Sequence, residues 1–179
     1  MKLNAKQLRV TDPTEEDLKN MVRKPIWLIL DNVLDTYNIG GLFRLADAVA
    51  ATEIILCGGS ETPPSSRIHK AAVGTENWVK WRYFSSSDEA IKRLRDEVKG
   101  IKIVAVEQDV RAEPISNAKL LISNDQPFAV VVGHETDGVS KEALDLADVI
   151  VEIPMWGVNK SLNVIVSAGI VIYRLVGDY

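Results

Sequence analysis

Cysteine is nearly absent from this 179-residue chain: Cys57 stands alone, so no disulfide framework can form within it. Its place inside the apolar stretch 53–57 is that of a small buried thiol. Histidine is almost as scarce, with only His69 and His134, too few beside one cysteine to suggest a zinc site, and no metal is expected. No apolar run approaches the roughly 20 residues a membrane span needs, so no membrane partner is expected. Lys2, Lys6 and Arg9 interrupt the first residues, which therefore lack the apolar core of an export signal, and a cytoplasmic location is expected. An excess of positive charge is lacking too. The formal net charge of −4 weighs against a nucleic-acid partner, because neutralising phosphate needs a basic face. A local basic patch can still coexist with an acidic remainder.

What is present fits one soluble globular domain: 46% hydrophobic residues with 26% charged, in a chain long enough to bury a full core. Apolar, β-rich runs fall at residues 26–30, 53–57, 102–106, 128–132 and 149–153, separated by segments of helical spacing. That alternation predicts an α/β fold, a mostly parallel sheet flanked by helices. Leu42, Leu45, Ala46 and Val49 recur at helical spacing and predict a helix over 41–51. Ile91, Leu94, Arg95 and Val98 predict another, less regular one. Ser140 reads as the cap of a helix over 141–147, with Glu142 in its first turn. Residues 161–176 are rich in β-branched side chains, but the length without a turn signal predicts a helix, apolar nearly all round, buried or covered by a second subunit. The segment up to Arg23 and the loop 60–66, with Pro63 and Pro64, are the expected flexible regions.

Three constellations carry the chemistry. The first runs from Leu30-Asp31-Asn32-Val33 to Asn38-Ile39-Gly40-Gly41-Leu42-Phe43-Arg44, leaving a strand, crossing a loop and starting a helix, where ligands and anions collect in α/β sheets. Arg44 in the first turns could hold a phosphate through two hydrogen bonds; the plain alternative is a surface pair with Asp47. The second is Val132-Gly133-His134-Glu135-Thr136-Asp137-Gly138, a strand end with glycines that permit close approach to the backbone. A simple turn would look the same, and the spacing matches neither a dinucleotide fingerprint nor a phosphate loop. The third is Ile153-Pro154-Met155 through Ser161-Leu162-Asn163, a polar loop opening onto the apolar final helix. Ser161 reads as its cap, whereas Asn163 would be a buried amide in need of partners.

Together the three segments resemble the motifs of the SpoU/TrmH family of RNA methyltransferases, within the SPOUT superfamily, from residue 26 to about residue 174. Three motifs in order are far more specific than any one. The resemblance implies a SPOUT-like fold with a C-terminal trefoil knot, a homodimer, and an enzyme that transfers methyl from S-adenosyl-L-methionine to RNA. It divides the chain into an extension, 1–25, and a catalytic domain, 26–179. It implies that Gly133, Ile153, Met155, Ser161 and Leu162 line the cofactor pocket, with Gly138 in the same loop and Val106 at the edge. It assigns Arg44, Asn38, Glu135 and Asn163 to catalysis.

The family's usual product is a ribose 2′-O-methyl group, and the resemblance makes Arg44 the residue that activates the hydroxyl. A guanidinium stays protonated in proteins, so the alternative is that Arg44 clamps the adjacent phosphate and stabilises the developing alkoxide while water takes the proton. For RNA contact the candidates are Arg23, Lys24, Arg67, His69, Lys70, Lys80 and Arg82, with Trp78 and Trp81 as stacking platforms, although core packing is the commoner use of a tryptophan. With only residues 1–25 ahead of the first strand, tRNA is expected ahead of rRNA by family analogy. Rival readings are an inactive RNA- or nucleotide-binding module of the same fold, an unrelated α/β regulatory module, and methylation of a base nitrogen.

Overall fold

The computed structural model describes residues 7, 11, 13–117, 122–123 and 126–177. Among these, seven strands form a single sheet: β1 (Lys24–Asp31), β2 (Ala51–Cys57), β3 (Trp81–Phe84), β4 (Lys102–Val106), β5 (Glu113–Pro114), β6 (Phe128–Gly133) and β7 (Val149–Glu152). Their order is β3-β2-β1-β6-β4-β7-β5, and every pairing is parallel. The helices described alongside them are α1 (Glu15–Lys19), α2 (Thr36–Ala48), α3 (Ser66–Ala72), α4 (Ser87–Glu97), α5 (Lys141–Leu146) and α6 (Val164–Val176).

The near-continuous apolar runs of the central strands follow from burial on both faces, as a parallel sheet requires. Side chains alternate along each strand. Ile26, Leu28 and Leu30 of β1 with Val130 and Val132 of β6 point to one side, where α2, α3 and α6 cover them. Trp27 and Ile29 with Ala129 and Val131 point to the other, under α4 and α5. Cys57 lies fully buried on this second side, where burial, reinforced by Asp31, pushes its thiol pKa far up and leaves it inert.

The expected α/β architecture is therefore present, with corrections of detail. β1 begins at Lys24, slightly ahead of the run that announced it. β3 and β5 were not foreseen. α2 starts at Thr36, not near residue 41, because the Asp35 side chain accepts the Tyr37 N–H at 2.8 Å and caps it. Asn38, Gly40 and Gly41 are thus helical, and Arg44 sits about two turns in rather than in the first turn. α6 starts at Val164, and its cap is Asn163, whose side-chain oxygen accepts the Ile165 N–H at 2.9 Å. Ser161 does not cap it; it donates instead to Asn159 Oδ1 at 3.0 Å. Ser140 does cap α5, through the Ala143 N–H.

The loop 60–66 is anchored, contrary to expectation: Ser60 is buried and donates to the Leu30 carbonyl at 3.4 Å, and Ser65 caps α3. The segment up to Arg23 contains the short helix α1, capped by Thr14; most of residues 1–12, on which the absence of an export signal was read, lies outside the described residues. No helix among the described residues is long and apolar enough to cross a membrane.

Two adjacent glycines set how the helices pack on the first face. A Cβ at Gly40 would lie 2.6 Å from Ala71 Cβ and 2.7 Å from the Ile68 carbonyl of α3, and a Cβ at Gly41 would lie 2.3 Å from Ile165 Cδ1 of α6. α2 is held between α3 on one flank and α6 on the other.

Candidate active site

The carboxyl ends of β1, β6, β4 and β7 carry the three constellations to one end of the sheet, where ligands bind in open α/β folds. One hydrogen-bonded chain joins them. Glu135, after β6, accepts the Leu34 and Asp35 N–H groups at 3.2 and 3.1 Å and the Asn38 side-chain amide at 2.9 Å. Asn38, buried in α2, accepts in turn from Asn163 Nδ2 at 2.9 Å. Asn163 then caps α6 with its remaining oxygen. Asn163 is exposed rather than buried; the buried amide of the pair is Asn38, and each is satisfied by the other.

Burial of Glu135 pushes its pKa up, but the Asn38 amide and the backbone N–H groups of its own residue, Asp35 and Leu34 outweigh that and hold it below the usual carboxylate range. The carboxylate is ionised and acts as an acceptor only.

The loop after β6 is a tight hairpin. His134 and Gly138 exchange both backbone hydrogen bonds at 3.0 Å, and His134 Nδ1 accepts the Thr136 and Asp137 N–H groups at 3.1 Å each. A Cβ on Gly133 would lie 2.1 Å from the Gly138 carbonyl carbon, so only glycine allows the hairpin to close. Glu107, at the end of β4, accepts the Val139 N–H at 2.9 Å and packs against Gly138, where a Cβ would stand 2.1 Å from its Oε2. Asp31, buried at the end of β1, accepts the Ser140 N–H at 2.7 Å. Sequence reasoning missed Glu107 and gave Asp31 no role; a single carboxylate at a strand end carries no local signal of the loop it will meet.

Between this hairpin and the loop 153–163 lies a cavity of about 460 Å³, within the range of small-molecule sites. Val106, Gly133, Gly138, Ile153, Met155, Ser161 and Leu162 all line it, as do Glu135 and Asn163. Asn38 and Arg44 do not; Asn38 reaches the wall only through its neighbours. Arg44 is exposed and has no hydrogen-bond or ion-pair partner among the described residues. Its proposed surface partner, Asp47, instead accepts the Trp78 indole N–H at 2.7 Å.

The candidate RNA-facing cations separate into two groups. Arg23 donates to the Ala51 and Trp78 carbonyls at 3.3 and 3.0 Å, Arg82 is paired with Glu53 and Glu97 at 2.8 and 2.9 Å, and His69 Nδ1 lies 2.5 Å from Glu76. Lys24, Arg67, Lys70 and Lys80 are exposed and have no such partner among the described residues. Trp78 and Trp81 are half-buried against the core. The freely exposed tryptophan is Trp156, beside Met155 at 91% exposure.

A parallel α/β sheet with a cavity between the loops at the carboxyl ends of its inner strands defines a ligand-binding protein of the doubly wound class. Within that class, residues 25–173 match the model of the SpoU rRNA Methylase family, and the chain belongs to that family. It is 32% identical, over 96% of its length, to a 23S rRNA (guanosine-2′-O-)-methyltransferase RlmB of Vibrio vulnificus, spanning 66% of that protein. It is 30% identical, over 85% of its length, to a tRNA (guanosine(18)-2′-O)-methyltransferase of Thermus thermophilus, of which it covers 75%. Among solved structures, the AdoMet-bound rRNA methyltransferase from Sinorhizobium meliloti superposes with a TM-score of 0.73 at 26% identity, covering 94% of this chain and 59% of that one.

Proposed function

We propose that the protein is an S-adenosyl-L-methionine-dependent RNA methyltransferase that modifies a ribose 2′-hydroxyl, with tRNA the first substrate to test and rRNA the second. The observation that carries this reading is the chain Glu135–Asn38–Asn163, which ties the three loops into one frame around the cavity. The curated relatives, named for 2′-O-methylation of rRNA and of tRNA guanosine, support the reaction and the substrate class.

The cavity suits the cofactor. Ile153, Met155 and Leu162 offer apolar walls for an adenine ring, and the main chain of the hairpin and of the loop 153–163 offers donors and acceptors for its polar edge. When bound, S-adenosyl-L-methionine supplies an electrophilic methyl group, its sulfur leaving as a neutral thioether. Glu135, Asn38 and Asn163 hold the loops in register, so their part is positioning. Arg44 clamps the phosphate next to the target ribose and stabilises negative charge developing on its oxygen, while water accepts the proton; its permanent charge suits that role better than that of a base.

Because Arg44 is outside its own cavity, the reading includes a homodimer in which it completes the partner's site. Val166, Ile170 and Tyr173 expose apolar surface along α6, as do Leu162 just before it and Leu34 and Tyr37 around the start of α2. Exposed apolar side chains on α6 and around the start of α2, the helix that carries Arg44, suit an interface with a second copy. A SPOUT-type knot near the carboxyl terminus and a cytoplasmic location belong to the same reading.

The test is incubation of the purified protein with labelled S-adenosyl-L-methionine and unmodified total tRNA or rRNA, followed by mass spectrometry of nucleosides. A 2′-O-methylnucleoside is expected. Arg44→Ala should lower transfer by about 100-fold or more, the scale of losing a charge-stabilising group, with cofactor affinity by calorimetry unchanged. A base-methylated product, no product from any RNA, or full activity of Arg44→Ala sinks the proposal.

A further inference from the structure

We infer that Arg67 and Lys70 of α3, continuous with Arg44 of α2, form a phosphate track that holds the RNA strand flanking the methylated nucleotide. The inference deepens the proposed function and rests on it. Successive helical residues are turned by about 100°, which places Arg44 about 40° round from Gly40 and between the two glycine contacts. Its guanidinium therefore leaves the outer ridge of α2, between α3 and α6.

The two flanks of that ridge differ in chemistry. On the α6 side the exposed residues are the apolar Val166, Ile170 and Tyr173, with one cation, Arg174, which donates to the Ser116 carbonyl at 3.1 Å. On the α3 side they are cationic: Arg67 and Lys70 are exposed and unpartnered among the described residues. They stand on the short helix whose Ile68 and Ala71 touch the position of Gly40. The carboxylates of the adjoining elements do not neutralise them. Asp47, the only acid in α2, accepts from Trp78 at 2.7 Å, α3 has no acid, and Glu76 holds the His69 ring at 2.5 Å.

In a protein of net charge −4, three uncompensated cations on adjoining helices form a local positive stripe, the feature a polyanion requires. Arg82 and Arg23, by contrast, spend their donors within the fold. The stripe ends at Arg44, which the proposed function places beside the target ribose. Its occupant is thus the sugar-phosphate backbone next to that ribose, read by charge and not by base identity.

The experiment measures binding of the full chain to in vitro transcribed tRNA across a salt series, together with steady-state methylation. For Arg67→Ala/Lys70→Ala, the slope of log affinity against log salt should fall by about 1.4 to 1.8, or about 0.7 to 0.9 per lost phosphate contact. KM for RNA should rise, with kcat at saturating RNA and cofactor affinity unchanged. Arg67→Lys/Lys70→Arg should restore the wild-type slope, and Lys92→Ala, on α4 across the sheet, should leave it unaltered. An unchanged slope and KM in the double alanine variant overturns the track while leaving the proposed function standing. So does a parallel loss of cofactor affinity or of the circular-dichroism spectrum, which would show a structural role. Wild-type protein that neither binds nor methylates any RNA overturns both.

Discussion

Glu135 bears more of the site than its size suggests, because one carboxylate gathers N–H groups from the β1–α2 loop and an amide from α2. Its lowered pKa means that the folded protein favours the ionised form. The resulting stabilisation is fully present above the ordinary glutamate range near pH 4.3 and is lost as the pH falls through the lower folded value. Melting temperature followed from pH 6 to pH 3 should therefore fall for the wild type in this acid window. Glu135→Gln, which cannot titrate, should start lower and lose less there; parallel curves would show that the carboxylate contributes nothing. Gly133 makes a different demand. Its missing Cβ would meet the Gly138 carbonyl carbon at 2.1 Å, and backbone cannot step aside as a side-chain tip can. Gly133→Ala should cost about 1 to 3 kcal/mol of stability in urea unfolding and abolish cofactor binding by calorimetry. Native affinity in that variant would mean the hairpin is not part of the site.

α2 is the element on which sequence and structure part most instructively. The apolar spacing predicted a helix only from Gly41 onward, and two adjacent glycines are unfavourable there, since glycine is about 1 kcal/mol poorer than alanine in a helix. The Asp35 cap and the approach of α3 and α6 override that preference. The two glycines should differ under substitution. A methyl at Gly40 would meet backbone, the Ile68 carbonyl at 2.7 Å and the Ala72 nitrogen at 2.8 Å, whereas at Gly41 it would meet the mobile tip of Ile165 at 2.3 Å. Gly40→Ala should thus lower the urea midpoint clearly, and Gly41→Ala only slightly, because Ile165 can turn away and the helix gains propensity. Equal effects would sink this account of the wedge. The long buried strands were legible because a parallel sheet writes its burial as unbroken apolar runs. β3 was not: Trp81-Arg82-Tyr83-Phe84 is a short edge strand, and its arginine is paired with Glu53 and Glu97 from elsewhere in the chain. The same holds in the site. The hairpin glycines and the loop before α6 could be read from local pattern and resemblance, whereas Asn38 buried inside α2, the hydrogen bond Asn163 donates to it and Glu107 behind Gly138 depend on contacts between distant segments.

For the whole molecule the decisive geometry is the separation of Arg44 from the cavity of its own chain, with an exposed apolar face beside both α2 and α6. In a symmetric dimer built on that face, each site would combine the arginine of one protomer with the cavity of the other. A mixing experiment can decide between that arrangement and a site completed within one chain. Arg44→Ala chains keep the cavity; Met155→Trp chains keep the arginine but fill the cavity. Each variant alone should be inactive. Co-refolded in equal amounts, half of the dimers are hybrids, and each hybrid holds one intact site if the arginine acts across the interface, which restores about a quarter of wild-type methylation. If Arg44 instead swings into the cavity of its own chain, no hybrid contains an intact site and the mixture stays inactive. Val166→Glu/Ile170→Glu should give the complementary result. Sedimentation should show a monomer that no longer methylates RNA although its cavity is chemically unchanged, whereas a fully active monomer would rule out any need for the second copy.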